Sequence, residues 1–284
     1  MRTPYRRTET DMRYVERIRQ AVLYLWSNLD RDLPLERLAE VACFSPYHFH
    51  RIYRGVMGET VFETVQRGRL HQAARRLSAS DKPLEQIARG AGYGSLAAFV
   101  RGFGRHYGMT PGRFRAGAAL RQSIVQESFM QTVQIQPHAE PMTLLLRRHQ
   151  GDYMNIGIAF EDLMLRAMPH YRSETPARVF GLYYDDPDSV PVDRLRSAAA
   201  IAWSPDWPVP EGLAVLELPA GRYGVLRHTG PYSELSHSWR QLYCEWLPHS
   251  GEEPADLPCV EEYLNDPRTT PPMALETDLW VALK

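Results

Sequence analysis

Cysteine is scarce in this chain. Cys43, Cys244 and Cys259 are scattered, and no CxxC pair occurs. That argues against a disulfide framework or a zinc site and fits a reducing cytoplasm. No apolar run approaches the roughly 20 residues of a membrane helix. The charged stretch from Met1 to Arg19 has no apolar h-region, so neither a secretory signal nor a membrane span is expected. Also missing are a phosphate-cradling glycine loop, a metal-ligand cluster and a Ser-His-Asp order. No catalytic residue, no metal, no cofactor and no enzyme activity are therefore expected. Lysine is almost absent, since only Lys82 and Lys284 occur among 33 basic residues. The rest are arginine, the better residue for bidentate contacts to phosphate and guanine.

The 284 residues, 44% hydrophobic and 24% charged, suit two globular domains. The net charge of -1 conceals an asymmetry. Residues 1–120 hold 20 Lys and Arg against 11 Asp and Glu, and residues 121–284 hold 13 against 23. A basic half beside an acidic half points to a polyanion as partner of the first half.

Two internal duplications organise the chain. In the basic half, Leu35-Glu36-Arg37-Leu38-Ala39 recurs as Leu84-Glu85-Gln86-Ile87-Ala88, and Ala42 and Phe44 recur as Ala91 and Tyr93. After a one-residue shift, Ser45, Phe49, Arg51, Tyr53, Gly58 and Thr60 recur as Ser95, Phe99, Arg101, Phe103, Gly108 and Thr110. Each copy reads as helix, tight turn, helix. Leu35, Leu38, Ala39 and Ala42 form one apolar stripe, and Phe49, Ile52 and Tyr53 form the next. Ser45 can cap the second helix, and Pro46 suits its first position. Cys43 stands where the second copy has Gly92. A non-glycine residue in such a turn costs about 1 kcal/mol. A long helix over 67–77 joins the copies.

The second duplication lies in the acidic half. Arg148-His149-Gln150-Gly151-Asp152-Tyr153 matches Arg227-His228-Thr229-Gly230-Pro231-Tyr232. Asp186-Pro187, Pro191 and Leu195 match Asp266-Pro267, Pro271 and Leu275. An amphipathic helix near 155–168 and another near 234–247 sit among strand-like runs. The fold class expected is an all-α double helix-turn-helix domain followed by an α+β domain. That second domain is built from two β-α-β-β repeats around a pseudo-two-fold axis, with a cleft between them. The domains expected are 1–116 and 128–284, with a linker over 117–127.

The basic half resembles the DNA-binding domain of AraC/XylS-type transcription regulators. The resemblance is carried by Leu38-Ala39, by Phe44-Ser45-Pro46-Tyr47-His48-Phe49-His50-Arg51, by Ala91-Gly92-Tyr93, and by Gly108-Met109-Thr110-Pro111-Gly112-Arg113-Phe114-Arg115. It implies that bases are read from the exposed face of the first recognition helix. Tyr47, His50, Arg51 and Arg54 lie three or four apart and share one side of that helix. In the second unit only Ser95 and Arg101 of the matching face can hydrogen bond, since Leu96 and Ala97 cannot. That unit is expected to anchor the backbone more than it reads sequence. Double-stranded DNA is the expected partner, and the resemblance adds RNA polymerase.

The acidic half resembles the GyrI-like effector-binding domain. The motifs are Leu218-Pro219-Ala220-Gly221-Arg222-Tyr223, Arg227-His228-Thr229-Gly230-Pro231-Tyr232, Trp246-Leu247-Pro248, Glu261-Glu262-Tyr263-Leu264-Asn265-Asp266-Pro267 and Thr277-Asp278-Leu279. In the duplication Tyr183 matches Tyr263, but Glu261 matches Gly181, so the carboxylate occurs in one half only. Glu261 and Tyr263, two apart on a strand, face the same way, and Glu262 should face the other way into solvent. The resemblance implies that this Glu-x-Tyr pattern lines a ligand cleft and that the Glu favours cationic amphiphiles. Tyr183, Tyr223, Trp203, Trp239 and Trp280 are the aromatic candidates for that cleft, because ring faces attract flat or cationic ligands. His149 and His228 recur at one repeat position, which suggests a structural role.

The function expected is a sequence-specific transcription regulator controlled by a small aromatic or cationic amphiphilic effector. The alternative is a hydrolase or a ligand-sequestering protein acting on reactive or toxic small molecules.

Overall fold

Local signals set the helices of the basic half. A computed structural model describes residues 9–117 and 133–284. Helix α1 (Glu9–Ser27) precedes the first unit, α2 (Leu35–Val41) and α3 (Pro46–Met57). Helix α4 (Val61–Ala79) leads to the second unit, α5 (Leu84–Gly90) and α6 (Leu96–Tyr107), and α7 takes up 111–117. A capping box starts α4. The Thr60 hydroxyl accepts from the Glu63 amide at 3.2 Å, and the Glu63 carboxylate accepts from the Thr60 amide at 2.7 Å. Pro46 opens α3 as expected, but Ser45 stands at its N-cap without a side-chain cap bond.

The two turns are conformational copies. Cys43 has φ 52° and Gly92 φ 73°, both left-handed. Glycine adopts this freely, and cysteine does so at a cost. Each unit has its own core. Ile18, Leu25, Leu38, Phe49 and Tyr53 fill the first, and Leu70, Leu77, Ile87, Phe99, Phe103 and Phe114 fill the second. Helix α4 serves both, with Val61 and Val65 in one and Leu70 to Leu77 in the other.

The second domain is one antiparallel sheet of eight strands. They are β1 (Gln134–His138), β2 (Met142–Gln150), β3 (Val179–Tyr183), β4 (Arg196–Ala202), β5 (Ala214–Leu218), β6 (Gly221–Thr229), β7 (Cys259–Tyr263) and β8 (Glu276–Leu283). Their spatial order is β1-β6-β8-β7-β3-β4-β2-β5. Helix α8 (Gly157–Ala167) follows β2. Helix α9 (Leu235–Arg240) follows β6 and continues through a π-helical stretch into α10 (Leu247–Ser250). Each repeat therefore carries one more leading strand than β-α-β-β. The leading strands are exchanged, since β1 pairs with β6 of the second repeat and β5 with β2 of the first. Strand β1, Gln-Ile-Gln-Pro-His, is polar, mostly exposed and contains Pro137, as an edge strand can be. That composition concealed it from pattern reading.

Strands β3 and β7 meet at the centre, and their register sets Gly181 opposite Glu261. Both helices pack on one face. Leu145, Ala199 and Ile201 lie under α8, and Leu226, Leu279 and Val281 lie under α9 and α10. The sheet curls about its other face, where Phe180, Leu182, Val260 and Trp280 are buried together.

The linker expected over 117–127 lies outside the described residues beyond Gly117, as does the expected start of the second domain at 128. The domains meet through side chains. Arg19 of α1 donates to Asp162 of α8 at 2.6 Å, and Asp162 also pairs with Arg147 and Arg166. The Trp26 ring lies so close to Gly157 that an added Cβ would sit 2.9 Å from it.

Candidate functional site

The DNA-reading face comes directly from the helical period of α3. Phe49 and Tyr53 are buried, which turns Tyr47, His50, Arg51 and Arg54 outward. Tyr47 is 63% exposed, and the Arg51 guanidinium lies 5.1 Å from its ring centre. On α6, Arg101 is exposed and Leu96 turns partly into the second core. Ser95 is exposed, but its hydroxyl accepts from the Ala98 amide at 3.2 Å and so caps the helix. Its donor capacity remains free, its acceptor role less so.

The second site lies between α8 and α9, over β3 and β7. Glu261 projects into it and is only 4% exposed. Its Oε1 accepts from the Trp239 indole N–H at 2.8 Å, and its Oε2 accepts from the Tyr263 hydroxyl at 2.7 Å. The Tyr183 and Tyr263 hydroxyls are 2.9 Å apart. Rings enclose this centre. Tyr153 packs on Tyr183 at 4.9 Å, and Phe160 and Tyr232 pack on Tyr263 at 5.5 and 5.2 Å. The symmetry is built in, because Tyr153 and Tyr232 occupy one repeat position and Tyr183 and Tyr263 another. Burial raises the Glu261 carboxyl above its ordinary pKa, against the lowering effect of the Tyr263, Trp239 and Tyr183 hydrogen bonds. Burial likewise lifts both tyrosine hydroxyls, and the Glu261 charge adds to it.

Of the ligand residues expected from sequence, Glu261, Tyr263, Tyr183 and Trp239 come together. Tyr223 and Trp280 do not. They sit on the opposite face with Phe180 and Val260, since strand alternation puts Trp280 out of phase with Leu279, the residue paired with Glu261. Trp203 lies apart, under α8, with its ring 4.9 Å from Trp207. Glu262 also needs correction. It faces away from Glu261 as expected, but it is 7% exposed rather than solvated, and Arg178 donates to both its oxygens at 2.7 and 3.0 Å. The curl of the sheet encloses that face. Sequence reading missed Tyr153, Phe160 and Tyr232. The signal for two of them was present, because the repeat aligns Tyr153 with Tyr232. His149 bonds Ser197 of β4 at 3.0 Å and His228 bonds Ser238 of α9 at 2.8 Å, so each is tied within its own repeat but to a different element.

Grooves also run along the domain seam. The larger, about 750 Å³, is lined by Trp26, Arg75, Arg76, His149 and Asp152 among others, and it is not over Glu261.

Two helix-turn-helix units on a basic domain, joined to a two-fold sheet with a caged carboxylate, define a DNA-binding transcription regulator with a ligand-binding domain. The chain belongs to the family described as GyrI-like small molecule binding domain, which matches residues 136–284. Residues 38–117 match a helix-turn-helix domain of the AraC type. The chain is similar to the probable transcriptional regulator YgiV of Escherichia coli (strain K12), 30% identical over 146 residues, covering 50% of this chain and 89% of that protein. It is also similar to the bifunctional transcriptional activator/DNA repair enzyme AdaA of Bacillus subtilis (strain 168), 33% identical over 35% of this chain and 47% of AdaA. The chain thus spans under half of AdaA. The solved DNA-binding domain of the transcriptional factor AdpA, in complex with a target DNA, is 27% identical. That match covers 37% of this chain and 96% of the AdpA chain, with a TM-score of 0.36. Among the described residues no helix is long and apolar enough to cross a membrane.

Proposed function

We propose that this regulator responds to an aromatic or cationic amphiphilic compound held beside Glu261. The observation that carries the reading is a buried carboxylate whose bonded donors, Trp239 and Tyr263, are neutral, within a cage of rings. A buried carboxylate without a charged partner is costly, and an entering cation supplies that partner while the ring faces replace its water. Binding rather than turnover is favoured by the DNA-binding domain attached to the cage. Tyr47, His50, Arg51 and Arg54 read bases, and Ser95 and Arg101 hold the second unit on the backbone. The regulator works in the cytoplasm with RNA polymerase as its partner.

Glu261→Gln keeps the side-chain shape and removes its charge. Titration of a cationic rhodamine and a neutral dye of similar size, followed by tryptophan fluorescence, should show the cation weakened by about tenfold, roughly 1.4 kcal/mol, with the neutral dye spared. Equal losses for both dyes, or no binding by the unaltered chain, would reject the assignment.

A further inference from the structure

The cage is not closed by its own domain alone. The His71 ring of α4, in the DNA-binding domain, meets the Tyr232 ring edge-on at 6.1 Å. Tyr232 packs on Tyr263, and Tyr263 holds Glu261. One turn earlier on α4, Arg67 donates to Glu161 at 3.2 Å, and Glu161 adjoins the cage residue Phe160. Helix α4 therefore touches both walls of the cleft, α8 on one side and the Tyr232 turn on the other.

The strand that carries Glu261 leads the same way. After Tyr263 the chain enters the β7–β8 connection, which is tied across its base. The Asn265 amide donates to Ala274 O at 3.2 Å and accepts from the Glu276 N–H at 3.2 Å. From this connection Arg268 donates to the carbonyl of Met57, the last residue of α3, at 3.3 Å. Met273 packs on the second unit's core, beside α6. One short segment thus joins the cage strand to both recognition helices. On the other wall, Leu165 of α8 is buried in the first unit's core.

We propose that the cage is an interdomain site. Helix α4 forms its outer wall through His71, and a ligand seated beside Glu261 changes the placement of α3 relative to α6 through the β7–β8 connection. This inference rests on the reading of the cage as the effector site. Both Glu261 oxygens are already bonded and the rings are in contact, so a ligand ring must displace one of the cage residues, and the proposed path runs through Tyr232 and Tyr263. Tyr232 moves against His71, and Tyr263 moves the strand end that leads to Arg268 and Met273. Coupling of this kind is reciprocal, so DNA must alter ligand affinity by the same factor as ligand alters DNA affinity.

The test uses the full chain, a cationic rhodamine as probe, and a duplex selected from a random pool by the full chain. For the unaltered protein, saturating duplex should change the rhodamine Kd by about fivefold or more. In Arg268→Ala the Kd without DNA should stay within about twofold, and the effect of the duplex should fall below about twofold. In His71→Ala the closed cage is weakened, so rhodamine should bind about threefold tighter without DNA. An unchanged Kd in His71→Ala, or a duplex effect that is absent in the unaltered chain or retained in Arg268→Ala, would overturn the inference while leaving the effector site standing. A chain that binds no rhodamine in any form would instead overturn the effector site itself, and this inference with it.

Discussion

Gly181 and Glu261 face each other across β3 and β7, at the pseudo-two-fold axis of the sensor sheet. They are the same position of the duplication, yet one has no side chain and the other has a carboxylate. The asymmetry is steric. A Cβ on Gly181 would lie 2.8 Å from the Tyr263 hydroxyl and 2.9 Å from Cε2 of Tyr183. Two tyrosines and one carboxylate leave no room for a side chain at position 181.

Gly181→Ala is therefore expected to push the tyrosines off Glu261. Overpacking of this kind costs about 1–3 kcal/mol. A lower thermal unfolding midpoint together with weaker rhodamine binding is the expected result. An unchanged midpoint and affinity would show that the centre has slack.

Cys43 occupies the left-handed position that Gly92 occupies in the second unit. Cys43→Gly relieves a strain of about 1–2 kcal/mol and gives back part of it through the greater freedom of the unfolded chain. A net gain of about 0.5–1 kcal/mol is expected, read as a higher urea midpoint by circular dichroism at 222 nm. A lower midpoint would contradict it.

Arg51 shares an exposed polar face with Tyr47, His50 and Arg54, whereas Arg101 lies beside Leu96 and Ala97. Arg51→Ala should cost about 1–3 kcal/mol of specific DNA binding and blur one operator position. Arg101→Ala should weaken binding to all sequences alike. Selection from a random duplex pool separates the two, and an unchanged preference in Arg51→Ala would reject the base-reading role.

His71 is pushed down to about 4 by burial and by the charges of Arg67, Arg75 and His106 around it. Its folded pKa lies below its unfolded value near 6.5, so the stability it contributes is complete above about pH 6.5. It is lost as pH falls from there through about 4, by about 3 kcal/mol in all. The urea midpoint of the unaltered chain should therefore fall more steeply over this window than that of His71→Ala. Parallel curves would show that His71 is not held neutral by the domain seam.

The sequence by itself determined the local structure and its repetition. The apolar stripes of α2 and α3, the left-handed turn shared by Cys43 and Gly92, and the outward face of Tyr47, His50, Arg51 and Arg54 follow from short-range periods and caps. The common side of Glu261 and Tyr263 follows from the two-residue period of a strand. What that period cannot give is the identity of each face. Trp280 was legible as a strand residue, but only the pairing of β6, β7 and β8 turned it, and Tyr223 with it, away from Glu261. Glu262 reads as a surface residue until the sheet curls over it and Arg178, just before the neighbouring strand β3 and 84 positions away in the chain, meets it. The exchange of β1 and β5, the meeting of Gly181 with Glu261, and the reach of His71 to Tyr232 are contacts between residues 68 to 161 positions apart in the chain. Such contacts depend on how sheet and helices close over one another, which no local pattern of residues encodes.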